Sequence, residues 1–189
     1  PRGSGGNPWL DSFVANQDGD ANGMFANTRG KFRDVAGNQP VLAWGGRAPR
    51  EATNGSVRPC VEDVNNDGLF DLFLANYGKN GLLLNRLGGF QDASEQYGIA
   101  IDARYDTCTF ADIDHDGLLD LYVNGRVSSG TSYRDHLFRN TGTRFEDVTP
   151  ANLLAFNASH GAQWADFDRD GDMDLAIAGG RAGATHSLL

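Results

Sequence analysis

The sequence is poor in cysteine, histidine and basic residues. Its 189 residues include two Cys and four His, and 16 Lys and Arg stand against 25 Asp and Glu. No apolar run approaches the ~20 residues of a membrane-spanning helix. Basic residues do not follow aromatic residues in the stripe that a nucleic-acid groove requires. We therefore expect neither membrane insertion nor a nucleic-acid partner.

Patterns of catalytic residues are missing as well. The chain contains no G-x-S-x-G, no H-E-x-x-H and no glycine-rich phosphate loop. The histidines share no local pattern with one another, and we expect all four to be surface or turn residues rather than general bases. The sequence therefore predicts no catalytic residue and no enzymatic activity.

The two cysteines leave the redox compartment open. Cys60 and Cys108 lie three and four residues before two similar Asp-rich loops, so they point to opposite faces of equivalent strands. A cysteine on the forward face of one sheet could meet one on the backward face of the next. Either a disulfide or two buried thiols fits this placement, and we expect free thiols.

Three Asp-rich loops are the dominant feature of the chain. The pattern D-x-[DN]-x-D-G-x-x-D occurs at 63–71, 112–120 and 166–174. Carboxylates at alternate positions of a tight loop converge on one point, and a group of hard oxygens suits Ca²⁺. The loops contain twelve of the 25 acidic residues, which leaves 13 acids against 16 bases elsewhere. The negative charge of the chain is therefore concentrated at the expected metal sites. We predict three Ca²⁺ ions as cofactors, one in each loop.

An EF-hand is the first alternative, because the early ligand positions agree with it. An EF-hand needs a Glu at position twelve and flanking helices, but position twelve is Leu74, Val123 or Ile177, and an Asp stands at position nine in every copy. The residues after each loop are short, apolar and β-prone. Merely polar turns are the second alternative, and three copies with one spacing argue against it.

The repeats predict an all-β fold. Residues 23–34, 81–92 and 136–147 share an apolar pair, an Asn, a Phe and an Asp at fixed spacing, which is typical of a β-hairpin. Together with the loops they form four-strand units, and matched positions lie 49 and 54 residues apart, the size of a propeller blade. The strand after each loop is apolar on both faces, so it must be covered on both. We predict a β-propeller of four-stranded antiparallel blades.

About 3.5 blades fit the chain. We expect a tag remnant at 1–6 and a propeller segment at 7–189, which consists of a partial blade 7–36, a blade 55–94, a blade 104–149 and a partial blade 160–189. Residues 18–23 are interpreted as a loop between strands rather than a metal site. Such a segment does not close alone into a ring of common size. Its open edges predict oligomerisation or a longer propeller.

The loop and hairpin, recurring in register from Trp9 onward, resemble the FG-GAP/VCBS repeat of integrin-like β-propellers. The hairpin ends at 90–94 and 145–149 are similar to the branch found in cartilage acidic protein 1 and its bacterial relatives. By position, the resemblance implies calcium ligands from side chains, with backbone carbonyls at Leu69, Leu118 and Asp172. The side-chain ligands so implied are Asp63, Asn65, Asp67 and Asp71, then Asp112, Asp114, Asp116 and Asp120, then Asp166, Asp168, Asp170 and Asp174. Asn65 departs from the all-Asp form, so we expect a weaker first site.

The resemblance implies an extracellular or periplasmic interaction module whose partner is a protein or a carbohydrate. A carbohydrate-binding lectin and a fragment of a polysaccharide-active enzyme are the alternatives. Trp44, Arg47 and Arg50 lie in the long connection after the first hairpin, where an aromatic ring beside guanidinium groups can stack on a sugar or anchor a protein. Trp44 could equally pack between blades, with both arginines solvated.

Overall fold

The computed structural model describes residues 9–17, 20–42, 55–153 and 159–179, and the backbone of 187–188. Strands form nearly all of its regular structure, with a short 3-10 turn at Ala36–Asn38. The strands are β1 Ser12–Val14, β2 Gly23–Thr28, β3 Lys31–Asp34, β4 Gly55–Glu62, β5 Asp71–Lys79, β6 Gly81–Arg86, β7 Gly89–Asp92, β8 Asp102–Ala111, β9 Asp120–Gly125, β10 Val127–Ser128, β11 Thr131–Ser132, β12 His136–Asn140, β13 Phe145–Asp147, β14 Ser159–Ala165, β15 Asp174–Gly179 and β16 Ser187–Leu188. Within these residues, no helix has the length and apolar character needed to cross a membrane.

The strands form antiparallel blades in chain order. Blade 1 consists of β1, β2 and β3, and blade 2 of β4 to β7. Blade 3 contains β8, β9, β12 and β13, with the small hairpin β10–β11 inserted after its second strand. Blade 4 consists of β14, β15 and β16. The described residues form an incomplete β-propeller, which confirms the predicted fold class.

Blades 2 and 3 are joined into one curled sheet of eight strands. The last residues of β5 continue past the hairpin and pair with the start of β8, with Tyr77 opposite Arg104 and Lys79 opposite Asp102. The two middle blades therefore share backbone hydrogen bonds as well as side-chain packing.

The strand that follows each Asp-rich loop is covered on both faces. In β5, Leu72 and Leu74 pack toward Met24 of blade 1. The alternate residues, Phe73 and Ala75, face blade 3. Side chains of a strand point alternately to its two faces, so an apolar run of this kind is stable only between two neighbours. The burial of β5 confirms the two-sided cover expected from its composition.

Blade 3 is held to blade 4 by apolar packing and by a buried polar group. Tyr122 packs against Leu175, and its hydroxyl donates to Asp135 Oδ2 at 2.6 Å. The same carboxylate accepts hydrogen bonds from the Ser159 hydroxyl of blade 4 at 2.7 Å and from the Gly125 amide at 2.7 Å. Burial raises the pKa of Asp135, and these donors oppose the rise. The network thus joins the blades without leaving this carboxylate unpaired.

The expectation of two free thiols is wrong. Cys60 in β4 and Cys108 in β8 form a disulfide, with their Cα atoms 6.1 Å apart. Each lies in the first strand of its blade, and these first strands pack beside each other. The two side chains point to opposite faces of their strands, so they meet in the space between the two blades. This orientation allows the disulfide to form.

Candidate metal centres

The three Asp-rich loops fold alike at the point where the first strand of a blade turns into the second. In the second loop, the amides of Asp116 and Gly117 donate to the two oxygens of Asp112 at 3.2 and 3.0 Å. The sixth residue is a glycine in the left-handed region in each case, with φ of 85°, 84° and 101° at Gly68, Gly117 and Gly171. Glycine adopts this conformation without steric cost, which is why the pattern requires it there.

The aspartate at position nine closes each loop. Asp71 and Asp120 are fully buried. Asp120 Oδ2 accepts from the Ile113 amide at 2.9 Å, and Oδ1 accepts from the Asn140 amide of the third strand at 2.7 Å. Burial raises the pKa of Asp120, and it raises that of Asp71 to about 6 with the help of the charges of Asp67 and Asp63. This aspartate therefore holds the loop against the hairpin that follows in the same blade. The spacing of the sequence pattern did not predict this role.

The second and third loops have the donor set of a calcium site. One carboxylate oxygen from each of Asp112, Asp114 and Asp116 lies within 4.8 Å of the others, and the same holds for Asp166, Asp168 and Asp174. Calcium binds oxygen at about 2.3–2.6 Å, so ligands on opposite sides of one ion lie about 5 Å apart. These residues fit a Ca²⁺ ion, and a cation would offset the repulsion among their charges.

The first loop differs from the other two. Among the described residues, its aspartates form no comparable cluster of carboxylate oxygens. The Nδ2 atom of Asn65 is buried and has no hydrogen-bond partner among the described residues. Arg86 Nη1 lies 2.5 Å from Asp67 Oδ2. Arg86 thus occupies an oxygen that a calcium ion would need, and the sequence pattern gave no signal of it.

We expect Asn65→Asp to increase the affinity of the first loop for Ca²⁺ by about tenfold, because it adds a full negative charge at a ligand position. Isothermal titration calorimetry of the wild type and the variant would measure the change. Unchanged binding would indicate that Arg86, and not Asn65, limits the site. Leu87→Asp adds the same charge at an exposed residue of the turn between β6 and β7, outside the loop, and serves as the matched control.

Neighbouring loops touch through the residue at position four. Asn66 Nδ2 donates to the Gly117 carbonyl of the second loop at 2.8 Å, and His115 Nε2 lies 2.9 Å from Asp172 Oδ1 of the third. The hydrogen bond to Asp172 raises the pKa of His115. The three loops thus form a continuous row along one end of the blades.

A cleft of about 890 Å³ lies between the 94–101 connection and blade 3. Tyr105 and His136 line this cleft. Tyr105 pairs with Gly125 and His136 pairs with Val123, toward the end of β9 that is farther from the Asp-rich loop. Gly125 allows the backbone of Tyr133, another residue of the cleft lining, to pack closely against β9. A Cβ at Gly125 would lie 2.1 Å from the Tyr133 carbonyl oxygen. Tyr105 and His136 therefore lie away from the Asp-rich loops. Arg144 and Glu146 lie toward the second loop, because Asn140 of the same hairpin donates to Asp120.

His136 is buried, so its expected place at the surface is wrong. Its ring stacks on Phe138 with centroids 5.1 Å apart, and its Nδ1 lies 3.1 Å from Asp147 Oδ2. Burial alone would raise the pKa of Asp147, but the Thr149 hydroxyl and amide, with His136, hold it at about 2. The ionised carboxylate only accepts hydrogen bonds, so Nδ1 carries the proton and Nε2 is left as an acceptor.

Acidification is expected to destabilise the protein through His136. Burial lowers the pKa of His136, the hydrogen bond that its Nδ1 donates to Asp147 opposes this, and the charge of Arg134 lowers the pKa further. The unfolded histidine titrates near 6.5, so its contribution to stability is present above about pH 6.5 and is lost as the pH falls toward the lower folded pKa. The melting temperature at saturating calcium should therefore fall between about pH 7.5 and about pH 5. The variant His136→Phe keeps an aromatic ring there and should show a smaller fall; equal slopes would contradict the assignment.

Other sequence-predicted residues lie elsewhere. Trp44, Arg47 and Arg50 are outside the described residues. His115 and His160 are exposed and pair with Asp172 and Asp106, which agrees with their expected surface positions.

Comparison with known families gives one match. A model described as an FG-GAP-like repeat matches residues 63–123 and 127–177, which together are more than half of the chain. The two segments contain all the side chains of the three predicted calcium loops. No curated protein matches the sequence.

Proposed function

The chain belongs to the FG-GAP-like repeat family, and from this premise we propose that it is a calcium-stabilised β-propeller module for extracellular interaction with a protein or another ligand. It has no catalytic activity of its own. The clustering of carboxylate oxygens in the second and third loops is the observation that carries the proposal. These loops lie at the junctions of the first and second strands, where a bound ion would hold the blades in shape and leave other surfaces for partners.

Two observations support an extracellular or periplasmic location. Loops of this kind bind calcium at concentrations that are found outside cells. The disulfide between Cys60 and Cys108 is of a type that persists in oxidising compartments. Relationship to the cartilage acidic protein 1 branch is proposed on the shared hairpin ends at 90–94 and 145–149.

Self-association through open strand edges is part of the proposal. Among the described residues, blades 1 and 4 have three strands each, whereas the main sheets of blades 2 and 3 have four, so the outer blades are incomplete. Unpaired strand edges promote association with other strands. Light scattering in calcium should give a mass above that of one chain, and a monomeric mass would contradict this part.

Calorimetric titration with Ca²⁺ tests the scaffold. We expect two ions to bind tightly and a third more weakly, with Mg²⁺ bound less well because it demands a tighter octahedral site. Folded protein that binds no calcium would overturn the proposal. Product formation from any member of a polysaccharide panel would overturn the absence of catalysis.

A carbohydrate-binding lectin is the second candidate function. The cleft beside blade 3 favours it, because polar and apolar side chains line the same concave surface. Among the described residues, no group carries a comparable argument for a polysaccharide-active enzyme.

A further inference from the structure

We propose that the cleft between the 94–101 connection and blade 3 is a binding site for a neutral carbohydrate, with Tyr105 and His136 as its central hydrogen-bonding groups. The inference rests on the proposed interaction function and names a site and a ligand class for it. Three features of the cleft support it.

The first feature is a pair of polar side chains that line the cleft. Tyr105 and His136 are 1% and 5% exposed and both line the cleft. His136 bonds within the protein through Nδ1. Neither the Tyr105 hydroxyl nor His136 Nε2 is among the enclosed polar atoms that lack a partner, so both can be reached by a ligand from the cleft. A sugar hydroxyl both donates and accepts, so it suits an acceptor nitrogen beside a phenol.

The second feature is a balance of charge. Arg134 Nη2 lies 2.6 Å from Asp147 Oδ2, and Arg144 Nε lies 3.8 Å from Glu146 Oε1. All four residues line the cleft, so its two cations face two carboxylates. Both pairs remain partly exposed and offer donors and acceptors to a ligand. An anionic ligand would meet carboxylates here, whereas a neutral polyhydroxyl compound can use both kinds of group.

The third feature is an apolar surface beside these groups. Ile101, Ala103 and Phe138 line the same cleft. Its volume of about 890 Å³ is within the range typical of small-molecule sites, which combine apolar walls with a few polar groups. The C–H faces of a sugar ring can pack on such walls while its hydroxyls reach the polar side chains.

An array of neutral and acidic glycans, probed with calcium-loaded protein, tests the proposal. We expect neutral glycans to bind. Tyr105→Phe should weaken the best neutral glycan about three- to tenfold, as loss of one hydrogen bond between neutral groups does. Tyr97→Phe is the matched control, because it removes another buried tyrosine hydroxyl from the same blade interface, outside the cleft lining. It should leave the affinity unchanged.

The outcomes separate this site from the scaffold. No neutral glycan bound by folded, calcium-loaded protein would overturn the cleft proposal and leave the scaffold proposal standing. Equal affinities for wild type and Tyr105→Phe, or binding of acidic glycans alone, would also overturn it. A protein that binds neutral glycans through Tyr105 but shows no stabilisation by calcium would contradict the proposed scaffold and support the cleft.

Discussion

Removal of calcium with EDTA is expected to lower the melting temperature by on the order of 10–30 °C. Each site that holds its ion at about a hundred times the dissociation constant adds about 2.7 kcal/mol, so two or three sites add about 5–8 kcal/mol. That amount is comparable with the whole stability of a typical domain, about 5–15 kcal/mol. A change of 1 kcal/mol shifts the midpoint by about 2–4 °C in a chain of this size. Differential scanning calorimetry in calcium and in EDTA measures the shift.

The reason for so large an effect is the state of the loops without a cation. Asp166, Asp168 and Asp174 bring carboxylate oxygens within 4.8 Å of one another. Like charges at such distances repel, and the native state brings them together more closely than the unfolded chain does. Calcium therefore stabilises the native fold most where the native fold alone is electrostatically unfavourable.

Two substitutions in the third loop distinguish ligand loss from charge loss. Asp168→Asn removes a side-chain ligand, and we expect it to reduce the calcium-dependent rise in melting temperature by about one site's share. Asp172→Asn removes the same charge, but its side chain contacts His115 and only its carbonyl is an expected ligand. The Asp172→Asn variant should retain most of the calcium-dependent rise in melting temperature. A melting temperature unaffected by EDTA in the wild type would refute the calcium prediction as a whole.

Loss of the disulfide is the second large effect that we expect. Cys60 and Cys108 are 48 residues apart, and a cross-link over that separation restricts the unfolded chain by about 4 kcal/mol. The paired substitution Cys60→Ala with Cys108→Ala should lower the melting temperature by about 8–16 °C in saturating calcium.

Reduction of the wild type provides the control for the paired variant. Treatment with a phosphine reductant should lower its melting temperature by a similar amount and leave the paired variant unaffected. Mass spectrometry after alkylation under denaturing conditions reports whether both thiols were oxidised at the start. Fully alkylated cysteines in unreduced protein, or equal melting temperatures before and after reduction, would contradict the disulfide's role.

Composition and spacing were sufficient to predict the strands and the blades they form. Strand β5 shows why: its residues are apolar on both faces, and only a neighbour on each side can bury them. The fold of the Asp-rich loops was equally predictable, because the glycine at position six indicates one backbone conformation. Calcium binding itself stays a prediction, although two of the loops gather their carboxylates as the spacing implied.

Features that depend on contacts between blades were not predictable. The pairing of Cys60 with Cys108 depends on which faces meet when two first strands pack, and a single strand does not encode this. Arg86 reaches Asp67 from a strand 19 residues away, and His136 is buried by residues that share no local pattern with it. Tyr105, the central residue of the cleft, has the sequence context of an ordinary core tyrosine.

The pairing of β5 with β8 has a consequence for how the protein opens. The amides at Tyr77–Lys79 belong to blade 2 by sequence but are in register with Asp102–Arg104 of blade 3. Breaking their hydrogen bonds requires the two blades to separate, so their deuterium exchange should be as slow as that of the most protected amides in either blade. We therefore expect the middle of the chain to unfold as one cooperative unit, with independent opening more frequent in blades 1 and 4.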